Sequence, residues 1–303
     1  MQNKKTAIIT GGAGFIGSNL TDYLISLGWK VKVIDNESSE SHDSFYWNDQ
    51  AENHKLDICD YENIRPLFDG VDIVFHLAAE SRIQPTLKNP ILAAQVNTVG
   101  TCTILQCSKE SGVKRVVYSS TSASYGIKNT IPNVEVMTND CLNPYSVSKV
   151  AGEEFCKMYT NLFGLQTSIL RYFNVYGERQ PLKGQYAPVI GIFLRQKGDG
   201  EPMTVIGDGT QRRDFTYVGD VVRANVLAAN LDNDKVSGET FNIGTGRNYS
   251  ILEIAEHIKG DYVFIKPRLG EIKESLAGNS KAEYILGWKP ETNLLDWINT
   301  QQS

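Results

Sequence analysis

Thr6-Ala7-Ile8-Ile9-Thr10 runs straight into Gly11-Gly12-Ala13-Gly14-Phe15-Ile16-Gly17, and Ile16, Leu20, Leu24 and Leu27 then recur at spacings of four, four and three until Gly28. The first five residues read as a buried strand, the glycines as a tight turn, and Phe15 to Leu27 as a helix with one apolar stripe. Glycine spacing alone is a weak signal; a strand before it and an amphipathic helix after it give it weight. Glycines without a Cβ let backbone approach a pyrophosphate, and the helix N-terminus adds free N–H groups and partial positive charge. Asp35 closes a second apolar run, Lys30 to Asp35, eighteen residues past Gly17. That is close to the ~20 expected of an acid that hydrogen-bonds an adenosine ribose. Its carboxylate repels a 2′-phosphate, and Asn36 and Glu37 follow with no arginine at hand, so the pattern selects NAD over NADP.

Working outward, short apolar runs at His54 to Ile58, Asp72 to Ala78, Arg115 to Ser120 and Thr167 to Arg171 alternate with helical patterns. That alternation marks β-α-β units in a parallel sheet covered on both faces. After Asn174 the pattern breaks into loops over 177–188 and 198–209, and helical patterns return at Gly219 to Leu231 and Ile251 to Ile258. The expected fold is α/β: a Rossmann-type doubly wound parallel sheet with a smaller, partly interleaved C-terminal substrate domain. Residues 1–171, with roughly 216–245, are expected to form the dinucleotide part, and 172–215 with 246–303 the cap.

The 303 residues are 41% hydrophobic and 21% charged, a globular balance that excludes disorder, coiled coil and collagen. No apolar run approaches the ~18 residues of a membrane helix. Met1 to Thr10 lacks the hydrophobic stretch of a secretory leader, so a cytoplasmic location is expected. Thirty basic and thirty-five acidic side chains leave a net charge of -5, opposite in sign to a nucleic-acid binder. Five cysteines (Cys59, Cys102, Cys107, Cys141, Cys156) include no C-x-x-C pair, and four histidines (His42, His54, His76, His257) stand at no ligand spacing. Neither a disulfide framework nor a metal site is expected. His76, inside an apolar run, reads as a packed imidazole.

Two Tyr-x-x-x-Lys matches occur, Tyr145 to Lys149 and Tyr262 to Lys266. Asn143-Pro144 precedes the first, and Ser146 to Phe163 reads as a helix on Val147, Val150, Ala151, Glu154, Phe155, Met158 and Leu162. On a helix the pair lies ~5–6 Å apart at Cβ. The second match lies in an extended run, where four residues span ~13 Å, and it reads as a decoy. A phenol with an ordinary pKa near ~10 is a poor base at neutral pH, but an adjacent ammonium and a cationic nicotinamide favour its phenolate. Tyr145 is the expected proton acceptor and Lys149 its electrostatic partner. A hydroxyl from Ser119-Ser120-Thr121-Ser122, at the end of the preceding strand, should bond the reacting oxygen.

Adding Leu56-Asp57-Ile58, His76-Leu77-Ala78-Ala79, Asn97, Ser119 to Gly126, Arg171 to Gly177, Arg213-Asp214-Phe215 and Asn242-Ile243-Gly244, the chain resembles, over nearly its whole length, the extended short-chain dehydrogenase/reductase family. Within it the likeness is to NAD-dependent epimerases and dehydratases, closest to the UDP-glucose and UDP-N-acetylglucosamine 4-epimerases. The resemblance implies NAD held by Gly11, Gly14, Phe15, Ile16, Gly17, Asp35, Asn36, Asp57, Ile58, Leu77, Ala78, Ala79, Asn97, Ser119, Tyr145, Lys149 and Tyr172. In this set Asp57 and Ile58 border the adenine, Leu77 to Ala79 the pyrophosphate and ribose, and Tyr172 the nicotinamide. Thr121 is implied as the hydroxyl that assists Tyr145. Arg82, Asn174, Arg213 and Arg268 are implied on the sugar and diphosphate, a task that suits a guanidinium fork; Arg212 reads as the solvated neighbour.

Relatives that are 4,6-dehydratases carry Asp-Glu after the threonine, and decarboxylases tend to carry a glutamate; here stand Ser122 and Ala123. Elimination then lacks its proton shuttle. What the resemblance leaves is a nucleotide-sugar 4-epimerase, with transient C4 oxidation by bound NAD and non-stereospecific re-reduction, on a UDP-hexose or UDP-N-acetylhexosamine. A dehydratase, decarboxylase or reductase of the same family is one alternative, and a non-catalytic NAD-binding sensor another. Relatives pair helices matching Ala93 to Cys107 and Val147 to Phe163 into a four-helix bundle, which implies a homodimer. Ser275 stands where epimerases restricted to plain hexoses tend to carry tyrosine, which implies room for a 2-N-acetyl group.

Overall fold

The computed structural model describes residues 4–40, 42, 44–182, 187–230, 234–267 and 272–302. β1 (Thr6–Thr10), α1 (Phe15–Ser26) and β2 (Lys30–Asp35) follow the opening pattern, and Gly28 at φ 80° turns the chain between helix and strand. β3 (Glu52–Lys55) starts and stops earlier than the expected strand, because Asp57 Oδ1 accepts the Cys59 N–H in a turn that ends it. Next come α2 (Tyr61–Ile64), β4 (Ile73–His76), α3 (Ile83–Lys88), α4 (Pro90–Ala94), α5 (Thr101–Glu110), β5 (Arg115–Thr121), α6 (Pro144–Phe163) and β6 (Gln166–Tyr172). The remainder adds β7 (Val175–Tyr176), α7 (Val189–Gly198), β8 (Met203–Ile206), β9 (Arg212–Asp214), β10 (Thr216–Tyr217), α8 (Val218–Ala228), β11 (Glu239–Ile243), β12 (Asn248–Ser250), α9 (Ile251–Ile258), β13 (Tyr262–Ile265) and α10 (Leu294–Thr300).

Seven strands make one parallel sheet in the order β11-β6-β5-β4-β1-β2-β3. Alternate residues of β1 face opposite layers. Ala7 and Ile9 join a core with Leu20, Leu24, Val221 and Ala228, whereas Ile8 joins one with Ile104, Cys156 and Ile169. The direction of winding reverses between β1 and β4, and the crevice at the carboxyl ends of those strands is where open α/β sheets bind ligands. A third core, including Tyr176, Phe193, Val205, Ile254 and Trp297, ties α7, α9 and α10 to β8.

Two readings need correction. The span 198–209 is not all loop: β8 forms within it, because Met203–Ile206 pairs in parallel with the distant β13. The apolar stripe read along α6 is not its inner face. Ser148, Lys149, Gly152, Glu153, Cys156 and Tyr159 are buried, while Val147 and Leu162 are 55% and 71% exposed. Among the described residues no helix is long and apolar enough to cross a membrane.

Candidate active site

Gly17 faces the glycine turn so closely that a Cβ there would lie 2.1 Å from the Gly11 carbonyl oxygen, and a Cβ at Gly11, with φ 69°, would meet Ala78 N at 2.7 Å. The first turn of α1 therefore lies against the ends of β1 and β4, with backbone bare toward the crevice. Asp35 accepts the Ala13 N–H at 3.1 Å and the Glu37 N–H at 2.8 Å. Burial pushes its carboxyl up, and these N–H groups pull it part of the way back. Glu37 is itself engaged by Lys55 and by Trp47 Nε1.

One cavity runs from this turn past Asp35, Asn36, Leu56, Ile58, Leu77, Ala78 and Ala79 to Arg82, Ser119, Tyr145, Lys149 and Tyr172. Gly11, Gly14, Phe15, Ile16 and Gly17 line its near end. Asp57 stands outside the lining, bonding Asn36 Nδ2 at 3.0 Å, and its neighbour Leu56 faces the cavity instead. Asn97 lies behind the wall in a π-type turn over Gln95–Gly100. There its Oδ1 accepts the Glu80 N–H at 2.8 Å and its Nδ2 donates to Glu80 O and Ser148 Oγ. Ser38, Ser39, His42 and Phe45 also line the cavity, from an irregular segment after β2 that carries no periodic signal in sequence.

Asn143 caps α6, its Oδ1 accepting the Ser146 N–H at 2.9 Å, and Pro144 opens the first turn, so Tyr145 projects from a fixed helix start. Burial raises the Tyr145 phenol, while the Thr121 hydroxyl and the Arg82 guanidinium pull it down. Burial also holds Arg82 down to about 10 and Lys149 down to about 7. Lys149 Nζ sits 4.2 Å from the centre of the Tyr118 ring. Tyr172 Oη bonds Ser119 Oγ at 2.9 Å and takes an Asn225 Nδ2 hydrogen bond at 2.8 Å. His76 is packed as expected, and burial near the Lys149 ammonium holds it down to about 3.

Three of the residues expected on the substrate side meet elsewhere, from three segments. Asn174 Nδ2 donates to Asp214 O at 2.8 Å and to Ser275 Oγ at 3.3 Å, Ser275 N donates to Arg212 O at 3.1 Å, and Arg213 Nη1 donates to the same oxygen at 2.9 Å. Ser275 is buried here, and Arg212 pairs with Glu253. Arg268 lies outside the described residues. In the second Tyr-x-x-x-Lys match Tyr262 opens β13 and Lys266 follows its end, both exposed. Sequence reasoning passed over Glu153, fully buried one turn beyond Lys149, which accepts Arg171 Nε at 2.8 Å, Arg171 Nη2 at 2.6 Å and the Ser120 hydroxyl. An acid four residues past a motif lysine is a signal that burial alone makes readable. Among the described residues no group of three or more His, Cys, Asp or Glu could hold a metal ion.

A doubly wound parallel sheet with a bare glycine turn at its switch point, an acid closing β2 and a tyrosine-lysine helix define a dinucleotide-dependent enzyme class. Residues 7–244 match the family described as NAD dependent epimerase/dehydratase, and the chain belongs to it. It is 36% identical over 302 residues to the UDP-glucose 4-epimerase of Mycolicibacterium smegmatis, covering 96% of this chain and 95% of that one. It is 39% identical over 264 residues to the UDP-N-acetyl-alpha-D-glucosaminuronate decarboxylase of Bacillus cytotoxicus, covering 84% and 79%. The crystal structure of UDP-glucose 4-epimerase with UDP-glucose from Thermotoga maritima superposes with a TM-score of 0.92 at 34% identity, covering 98% of this chain and 97% of that one.

Proposed function

We propose that this chain is an NAD-dependent nucleotide-sugar 4-epimerase acting on a UDP-hexose or UDP-N-acetylhexosamine. The observation that carries the choice over dehydratase or decarboxylase is the acid content of the cavity. Among its described lining residues Asp35 is the only carboxylate, and it is bonded into the glycine turn. With Ser122 and Ala123 after Thr121, none of the described lining residues is an acid free to move a second proton.

The residues fit NAD: the missing side chains at Gly11 and Gly17 let the turn close tightly against α1 and Ala78, so that Gly11, Gly14 and Gly17 present backbone to the cavity at a helix start, as a pyrophosphate requires, and Asp35 suits a ribose diol. When bound, NAD supplies reversible acceptance of hydride from C4 of the sugar. Tyr145 takes and returns the O4 proton, and Thr121 bonds the same oxygen. On this reading Lys149, one helical turn along, favours the phenolate, and the Arg82 guanidinium pulls the phenol down as well. On this reading residues 1–171 with roughly 216–245 hold the dinucleotide, and 172–215 with 246–303 hold the sugar. Asn174, Arg213 and Arg268 then serve the diphosphate. Purified protein given UDP-, dTDP- and GDP-sugars without added cofactor should yield C4 epimers by anomeric NMR; a dehydrated or decarboxylated product rejects the assignment.

Stripped protein titrated with both cofactors should bind NAD tighter than NADP by about 10- to 100-fold, the worth of one or two hydrogen bonds to a charged group. Asp35→Asn should erase most of the difference, and equal affinities in the unaltered protein end the role given to Asp35. Ser275→Tyr should cut turnover of the N-acetylated sugar about tenfold more than that of the plain hexose, the usual scale of steric discrimination in a pocket. An equal effect on both sugars retires the size gate.

Partner and location belong to the same reading. Ile91, Val99, Val147 and Leu162 are exposed apolar residues on the α4-to-α6 face, which supports pairing of two chains there. Light scattering at micromolar concentration should give twice 33.7 kDa. The five free cysteines suit the reducing cytoplasm.

A further inference from the structure

Tyr118 lies on β5 with no exposed surface, and its ring, not a carboxylate, carries Lys149 Nζ at 4.2 Å. The same tyrosine donates its hydroxyl proton to Lys149 O at 3.1 Å. Helix α6 makes room for that contact by having no side chain at Gly152, where a Cβ would lie 2.3 Å from Tyr118 Oη. Behind the ring, 5.6 Å between centroids, stands His76. Thr10 Oγ1, which accepts the Ala78 N–H at 3.2 Å, lies 2.7 Å from His76 Nδ1 and donates to it, because the neutral ring carries its one proton on Nε2. Thr101 Oγ1 donates to Asn97 O at 2.7 Å, so it accepts from His76 Nε2 at 2.9 Å. These bonds fix one neutral tautomer and hold the imidazole still against the tyrosine.

We propose that Tyr118 is a positioning residue for Lys149, its ring face seating the ammonium and its hydroxyl tying the same helical turn to β5. The inference rests on Lys149 serving Tyr145 as proposed above. A cation over an aromatic face is held by the ring quadrupole, and the hold strengthens away from water. It acts in the direction that opposes burial, which holds Lys149 down to about 7. The other titratable groups that act on Lys149 are His76 from β4 and Cys156 and Glu153 from its own helix. His76 is neutral, burial pushes the Cys156 thiol up, and Glu153 is taken by Arg171.

The test replaces the ring electronics at nearly constant shape. Tyr118→Phe keeps the aromatic face and removes the hydroxyl, and 3,4,5-trifluorophenylalanine incorporated at position 118 weakens the quadrupole. With the NAD-loaded enzyme, the fluorinated protein should show a kcat at pH 7 about tenfold below that of Tyr118→Phe, with the sugar KM held, for a cation–π contact out of water. The sign follows from the charge: a weaker seat lets Lys149 lose its proton sooner, the Tyr145 phenolate loses support, and the acid limb of kcat moves to higher pH. A merely structural role lowers the melting temperature and leaves that limb in place, so superimposable pH profiles overturn the proposal. Lys149→Met, run alongside, separates the failures. If Lys149→Met keeps full activity the reading of the site is wrong and Tyr118 positions nothing; if it is inactive and the profiles coincide, only the Tyr118 proposal falls.

Discussion

Tyr145→Phe is expected to lower kcat by about 10²- to 10⁴-fold, the range for loss of a positioned proton acceptor, while NAD and sugar binding stay near their original values. The substitution removes one oxygen. It leaves the Asn143 cap, the α6 start and the glycine turn intact, so the loss falls on the chemical step rather than on binding. Tyr262→Phe and Lys266→Met supply the comparison. β13 is exposed along its length, and those changes should leave kcat within about twofold, as surface substitutions do. Initial rates by coupled assay, with cofactor content read from absorbance after denaturation, check both arms. Retained activity in Tyr145→Phe removes the tyrosine from the chemistry, and a dead Tyr262→Phe moves the motif.

The second large effect is on stability. Glu153→Ala should destabilise the fold by about 3–5 kcal/mol, because it strands the Arg171 guanidinium in the interior. Burial is the largest influence and works against that charge, but the hydrogen bonds and charge of Glu153, with Tyr125 behind them, together outweigh it, so Arg171 is held above its usual range. The Ser120 hydroxyl, at the end of β5, loses its acceptor at the same time. The joint change Glu153→Met with Arg171→Met should recover much of the loss, since a pair removed together leaves no orphaned charge. Urea unfolding measures each midpoint. A single substitution costing under about 1 kcal/mol, the value of an exposed pair, shows that water reaches the site.

The local sequence by itself determined the parts in which neighbours along the chain do the work. β1, the bare turn and α1 follow from five apolar-rich residues, four small ones and a stripe of period 3.6, because strand, turn and helix there depend on contacts within a few residues. Asp35 at the end of β2, and the placing of Tyr145 on a helix and Tyr262 on a strand, were legible for the same reason: a cap and a proline open the helix, and an extended run makes the strand.

Only the tertiary structure decided which face of α6 turns inward. Its apolar residues pointed to Val147 and Leu162, yet the chain buries Lys149, Glu153 and Ser148. Polar groups can be interior only when partners meet them. Those partners, Arg171 on β6, Tyr118 on β5 and Asn97 in the turn before α5, come from other parts of the chain. The same holds for β8, which is a strand because β13 lies beside it, and for the meeting of Asn174, Arg213 and Ser275 from three segments. Periodicity reports the burial of apolar surface along one element, whereas satisfaction of buried charge is a property of contacts between elements, and only folding brings those together.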